Sequence, residues 1–285
     1  MSVRLFLVLV LLCAILTACG SFAKPATSTE VPVSPSSAPT EAVAPTKQSI
    51  TVFAAASLTE AFTELGKQFE AETPGAKLVF NFAGSQQLVE QLAQAAPADV
   101  FASANQAQMD AAVQAGRVAE GQPQPLVGNK LVVIFPSLNP GKLNQLQDLA
   151  HPGLKLVLAD QAVPVGKYSL EFLDNASKLP EYGSSFKEDV LKNVVSYEEN
   201  VRSVLAKVTL GEADAGIVYA SDLISQPDQQ VEVLQIPESL NVNALYSIAP
   251  VVDSQQAALA RGFVDYALSP AGQELLARFG FKKVR

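Results

Sequence analysis

Apolar residues fall along this chain in two alternating rhythms. Short runs dense in Val, Ile, Leu and Phe, at residues 50–54, 78–82, 100–103, 131–135, 154–158, 216–219 and 231–236, have the length and composition of buried strands. Between them the period changes to that of a helix. Leu58, Ala61, Phe62, Leu65 and Phe69 share one helical face, with Glu60, Glu64, Lys67 and Glu70 mostly turned away from it. Leu88, Val89, Leu92 and Ala96 repeat the pattern, as do Val201, Val204, Leu205 and Val208, where Leu210-Gly211 marks an end. A strand-like run at 244–251 precedes two closing helices, at 255–268 and 270–279. Strands alternating with helices predict an α/β fold with a largely parallel sheet. The Gln-Pro-Gln-Pro segment at 122–125, followed by Gly128-Asn129, reads as a crossing between two lobes, and no internal repeat is evident.

One junction occurs twice. Val52-Phe53-Ala54-Ala55-Ala56-Ser57-Leu58 runs from a strand pattern directly into a helical one, and Phe80-Asn81-Phe82-Ala83-Gly84-Ser85-Gln86 does the same one unit later. A helix start exposes unpaired N–H groups at the positive end of the helix dipole. A serine there can cap its own helix, or turn its hydroxyl toward a bound anion. Two such serines on successive units, flanked by small residues, point to a pocket for a small oxyanion. In open α/β sheets such a pocket lies beyond the carboxyl ends of the strands.

The front of the chain changes this picture only by placing the folded part. Arg4 followed by the apolar run 5–16 and ending in Leu16-Thr17-Ala18-Cys19-Gly20 reads as a signal peptide, 1–18, of the bacterial lipoprotein type, with Cys19 as the acylated residue. Residues 19–48, rich in Pro, Ser and Thr and without apolar period, predict a disordered spacer that leaves the domain tethered outside the cytoplasmic membrane. Cys13 and Cys19 are the only cysteines, so the folded part has no disulfide and no thiolate metal site. The remaining stretch of about 235 residues is large enough to stand on its own core. A net charge of −8, with no basic run beyond Lys282-Lys283-Val284-Arg285, argues against nucleic acid as a partner. For an anionic ligand it leaves binding to local dipoles.

Catalytic signals are weak. His151, the one histidine, precedes Pro152 in a loop pattern, and a hydrolase built on Ser57 would need it as base. No Gly-x-Ser-x-Gly elbow is present. Ser21-Phe22-Ala23-Lys24 falls in the spacer, and Gly166-Lys167 lacks the rest of a phosphate loop. Asp99 and Asp160 read as structural carboxylates. No cofactor and no metal beyond the ligand's own are expected.

Taken in order, Val52-Phe53-Ala54-Ala55-Ala56-Ser57-Leu58-Thr59, Ala83-Gly84-Ser85, Ala96-Pro97-Ala98-Asp99-Val100-Phe101-Ala102-Ser103-Ala104 and Gly128-Asn129-Lys130-Leu131-Val132-Val133 make a series. Val163-Pro164-Val165-Gly166-Lys167-Tyr168, Glu198-Glu199-Asn200-Val201-Arg202, Gly216-Ile217-Val218-Tyr219-Ala220-Ser221-Asp222 and Ser269-Pro270-Ala271-Gly272 with Phe279-Gly280-Phe281 complete it. This series, spanning residues 50–284, resembles the solute-binding component of molybdate ABC transporters. The resemblance implies a two-lobed periplasmic-binding-protein fold, each lobe a mostly parallel sheet flanked by helices, closing on a ligand in the cleft. It sets the lobes at 49–128 plus 251–285 and at 129–250.

The same resemblance implies that Ser57 and Ser85 bind molybdate through hydroxyl and backbone N–H, Val165 and Val201 through backbone N–H, and Tyr219 through its phenol. The residues themselves agree: Ser57, Ser85 and Val201 sit at helix starts, and Val165 precedes a helical pattern at 168–173. Helix N-termini can stabilise a dianion without Arg or Lys. The function implied is capture of molybdate, and of tungstate, by a monomeric lipoprotein that delivers it to the permease subunits of an ABC importer, with no enzymatic activity. The alternatives are another tetrahedral oxyanion, sulfate or phosphate, distinguished by cavity size, and a serine hydrolase built on Ser57.

Overall fold

The structure, a computed structural model, describes residues 48–224 and 230–284. The leader, Cys19 and the spacer to residue 47 lie outside the described residues, so the readings that fall on them are not met by it.

In chain order the elements are β1 (Gln48–Ala55), α1 (Thr59–Glu72), β2 (Ala76–Ala83), α2 (Ser85–Ala93), β3 (Val100–Ser103), α3 (Gln106–Gln114) and β4 (Gln124–Asn129). Then come β5 (Leu131–Pro136), β6 (Leu156–Ala159), α4 (Pro164–Ser177), α5 (Phe186–Lys192), β7 (Val194–Glu198), α6 (Val201–Thr209), β8 (Ala215–Tyr219), α7 (Ala220–Ile224) and β9 (Val231–Gln235). Last are β10 (Ala244–Pro250), α8 (Ala257–Leu268) and α9 (Pro270–Arg278). The strands form two five-stranded sheets, ordered β2-β1-β3-β10-β4 and β7-β6-β8-β5-β9. Each sheet with its helices is one lobe.

The sheets are mixed, which qualifies the expectation of largely parallel pairing. In the first, β2, β1 and β3 pair in parallel, and β10 runs against both β3 and β4. In the second, β7, β6 and β8 pair in parallel, and β5 runs against both β8 and β9. One reversed strand therefore occupies the fourth place of each sheet. Each reversed strand is the first strand laid down after the chain enters that sheet from the other lobe. The two lobes thus share a topology that leaves no repeat in the sequence.

Two boundaries move. The segment read as a crossing lies within and just before β4, where the first sheet is still being built. Pro125 is tolerated there because β4 is an edge strand. The chain actually passes between sheets at Lys130, the single residue between β4 and β5. The return passage lies between β9 and β10. Residues 244–250, assigned by the sequence to the second lobe, pair with β3 and β4 and so belong to the first sheet. Asn241 ties the two passages together: its Oδ1 accepts from Leu131 N–H at 2.9 Å and its Nδ2 donates to Leu131 O at 2.8 Å.

The core follows from the period-two alternation of β1. Val52 and Ala54 face a cluster that includes Phe62, Leu65 and Phe263, while Phe53 faces Leu88, Phe101 and Met109 on the other side. Phe62 and Phe69 meet Phe263 edge-on, with ring centroids 5.9 and 5.5 Å apart, a geometry favoured by the ring quadrupoles. Gly216 in β8 is required by packing: a Cβ there would lie 2.9 Å from both Val204 and Val208 of α6. These packed helices fix the strand ends from which the site is built.

Candidate functional site

Neither serine of the repeated junction caps its helix. Ser57 lies in a short 3₁₀ turn ahead of α1, and no side-chain cap bond is made at either start. Its Oγ instead sits 2.8 Å from the hydroxyl of Tyr246. Ser85 is the first residue of α2, and the capping is done by Gln87, whose Oε1 accepts from Gly84 N–H at 3.0 Å. Ser85 Oγ accepts from Ala104 N–H at 3.1 Å, so its own proton remains to be donated.

The second lobe supplies two more helix starts. Val165 is the second residue of α4, which begins at Pro164, four residues earlier than the pattern at 168–173 indicates. Proline at this first position costs nothing, because its missing N–H would have no intrahelical partner. Val201 is the first residue of α6, and the cap residue Asn200 accepts from Ser203 N–H at 3.0 Å. That cap satisfies the third N–H of the helix and leaves the N–H of Val201 without an intrahelical carbonyl. Gly166 is dictated by close approach, since a Cβ would lie 2.0 Å from the carbonyl oxygen of Asp160.

Tyr219 ends β8 with 1% of its surface exposed. Its phenolic oxygen is buried and makes no hydrogen bond of good geometry, the Tyr246 hydroxyl being close enough only to influence its titration. Burial pushes the phenol well above its ordinary pKa, with Tyr246, Tyr168 and Asp222 adding to the shift, so it stays protonated. A buried donor with no acceptor is costly. Such a group calls for an explanation, and here it sits at a cavity wall where a guest could accept from it.

All five predicted residues, Ser57, Ser85, Val165, Val201 and Tyr219, line one cavity between the lobes. Its volume, about 20 Å³, leaves room for one small compact guest. Among the described residues no Lys, Arg, Asp, Glu or His lines it. Such a cavity offers hydroxyl and backbone donors and the positive ends of helix dipoles, the chemistry for an ion that only accepts hydrogen bonds.

The lobes touch around the cavity. Gln86 Nε2 donates to Glu199 O at 2.8 Å, and Gln87 Nε2 to Glu199 Oε2 at 2.9 Å. Gln108 Nε2 reaches Ala162 O at 3.2 Å. Gly84 permits this contact: a Cβ would stand 2.5 Å from the Glu199 carbonyl oxygen. Arg202 Nε donates to Ala56 O at 3.2 Å, and its guanidinium pairs with Glu60 of α1. Arg202 thus does not line the cavity; it serves the lobe contact and the buried Asp222 of its own lobe, 3.5 Å from its Nε.

Other sequence candidates lie elsewhere. Asp99 accepts from Thr51 N–H at 2.7 Å and from Ser254 Oγ at 2.5 Å, a structural role. Asp160 accepts from Ala162 N–H at 2.8 Å. His151 is exposed beside Asp148 and does not line the cavity. Among the described residues no group of three His, Cys, Asp or Glu is placed to hold a metal ion. Asn200, Arg202 and Tyr246 were not singled out from the sequence. The first could have been, as an Asn one residue before an apolar helical face.

Residues 50–282 match the model of bacterial extracellular solute-binding proteins. The chain is 40% identical over 277 residues to the molybdate-binding protein ModA of Mycobacterium tuberculosis (strain ATCC 25618 / H37Rv), a match covering 97% of this chain and 96% of that protein. It is 36% identical to the molybdate-binding protein ModA of Escherichia coli (strain K12) over 238 residues, 81% of this chain and 88% of that one. Among solved structures it is similar to the substrate binding domain of a putative molybdenum ABC transporter from Clostridium difficile. There the TM-score is 0.61 at 29% identity, covering 83% of this chain and 99% of that one.

Proposed function

Because the chain belongs to the family of bacterial extracellular solute-binding proteins, we propose that it captures molybdate, and with it tungstate, and hands it to an ABC importer. Molybdate is cargo here and not a cofactor. What supports this reading is the cavity: two serine hydroxyls, an orphaned phenol and the open N–H groups of helix starts from both lobes converge on a space the size of one tetrahedral oxyanion. Ser57 and Ser85 supply the first lobe's donors, and Val165, Val201 and Tyr219 the second's. An ion touching both sets stabilises the closed arrangement over the open one by the contacts it gains.

Neutral donors suit a carrier that must also release its ligand, because a buried ion pair is costly to form and to break. No step of this cycle makes or breaks a covalent bond, and Ser57 faces a tyrosine hydroxyl where a hydrolase would need a base. The protein works outside the cytoplasm as a monomer, tethered by lipid at Cys19 with residues 20–47 as spacer, since Gln48 already pairs in the first sheet, and docks on the importer's permease subunits.

The test is thermal unfolding with molybdate, tungstate, sulfate and phosphate in turn. At a hundredfold excess over the dissociation constant a ligand adds about 2.7 kcal/mol, which raises Tm by roughly 5–10 °C in a domain of this size. The expected result is a shift with molybdate and tungstate and none with sulfate or phosphate. A shift with sulfate or phosphate alone reassigns the cargo, and no shift with any of them removes the proposal.

A further inference from the structure

Behind Ser57 lies a buried polar chain that the five cavity residues do not account for. Tyr246 of β10 has no exposed surface, and its hydroxyl is 2.8 Å from Ser57 Oγ. Asn129, the last residue of β4 and 1% exposed, places Nδ2 3.4 Å from the Tyr246 hydroxyl and 2.8 Å from Ser221 Oγ. The orientation of the Asn129 amide is fixed by its other end: Oδ1 accepts from Lys130 N–H at 2.9 Å, and a backbone N–H can only donate. Nδ2 is therefore the atom presented to Tyr246. The ring itself is held edge-on between Tyr219 and Phe281, at centroid distances of 5.8 and 5.6 Å.

We propose that Tyr246, backed by Asn129, is a positioning residue for the anion site: it donates to Ser57 Oγ and so directs the serine's own proton into the cavity. A phenol has one proton, and a donor behind it leaves that proton for Ser57. A serine that accepts from Tyr246 has its hydroxyl hydrogen left for the ligand. Ser85 is served in the same way by Ala104 N–H. Both first-lobe hydroxyls are then set as donors before an oxyanion arrives, and no hydroxyl must turn when it does. Preorganised donors bind more tightly because the cost of ordering them is met during folding.

This inference rests on the oxyanion reading, and the experiment separates the two. Molybdate affinity is measured by calorimetry for the wild-type protein, Ser57→Ala, Tyr246→Phe and the double variant, with the Tm of each ligand-free protein recorded. Tyr246→Phe keeps the ring and removes only the hydroxyl. It is expected to weaken binding about tenfold, the scale of one well-placed hydrogen bond. In the Ser57→Ala background the same change is expected to alter affinity less than about twofold, because the group it acts through is gone. Asn129→Ala, carried through the same cycle, gives the same pattern at smaller amplitude and serves if Tyr246→Phe fails to fold.

Equal losses from Tyr246→Phe with and without Ser57 make Tyr246 a packing residue and overturn the proposal. So does wild-type affinity in Tyr246→Phe. A wild-type protein that binds none of the four oxyanions removes the function itself, and this inference with it.

Discussion

The carbonyl oxygen of Ala56 accepts a hydrogen bond from Arg202 Nε at 3.2 Å. The residue after Val201 in the second lobe thereby holds the residue before Ser57 in the first. Lobe contact and ligand contact are made by consecutive residues on both sides of the cleft. Arg202→Gln removes this bond, the pairing with Glu60 and the charge beside the buried Asp222, while leaving every cavity donor in place, so the Tm of the ligand-free variant is recorded as well. Molybdate affinity is expected to fall by roughly 5–30-fold, the scale of one or two such interactions, with the loss expressed as faster release. Stopped-flow association and dissociation rates check it.

Val201→Pro tests a backbone donor directly. Proline is well tolerated at the first position of a helix, and the extended backbone of Asn200 (φ −161°, ψ 167°) suits a residue before proline. The variant is expected to fold and to bind molybdate at least tenfold more weakly, whereas Val201→Ala, which keeps the N–H, binds within a fewfold of wild type. Calorimetry of the pair decides whether the N–H or the side chain matters.

Tyr219→Phe should separate stability from binding. The phenol oxygen is buried without a partner in the protein alone, so its removal is expected to leave the ligand-free protein as stable or more stable, by up to about 1 kcal/mol. Affinity falls with the lost donor. A denaturant titration without molybdate and a calorimetric titration with it read the two effects independently.

Asp222 makes stability depend on pH. Burial pushes its carboxyl from 3.8 up to about 7, against the pull of Arg202 and of the Tyr219 N–H, with Glu60 adding to the rise. Between these values the folded protein keeps a proton that the unfolded chain releases. The contribution of Asp222 is therefore least unfavourable below about pH 4 and worsens as pH rises to about 7, by something on the order of 4 kcal/mol. Asp222→Asn lacks this slope and can still accept from Tyr219 N–H. Urea unfolding at pH 5 and pH 7.5 should show the gap between variant and wild type widening at the higher pH.

Much of the site was legible because its parts are local. A serine, a valine or an asparagine at a helix start is written in a few consecutive residues, and Ser57, Ser85, Val165, Val201 and Tyr219 do meet at one cavity. What escaped is what depends on a partner far along the chain. β7 is an edge strand with Val195 and Tyr197 exposed, so its apolar pattern is not that of a buried run. β4 carries Pro125 and Gly128, which read as a break until the strand is known to lie at an edge. The place of β10 between β3 and β4 is set by pairing 100 or more residues away in sequence. Tyr246 could not be assigned to Ser57, from which 189 positions separate it.

Lys130 alone joins β4 to β5, and the return passage is tied to it through Asn241. A joint with so little chain in it cannot stretch or slide; it can only bend. Any opening of the lobes is then a hinge bend near these two passages. An ion that needs the donors of both lobes would be held while the angle of that bend is small and would lose one set of contacts as it widens.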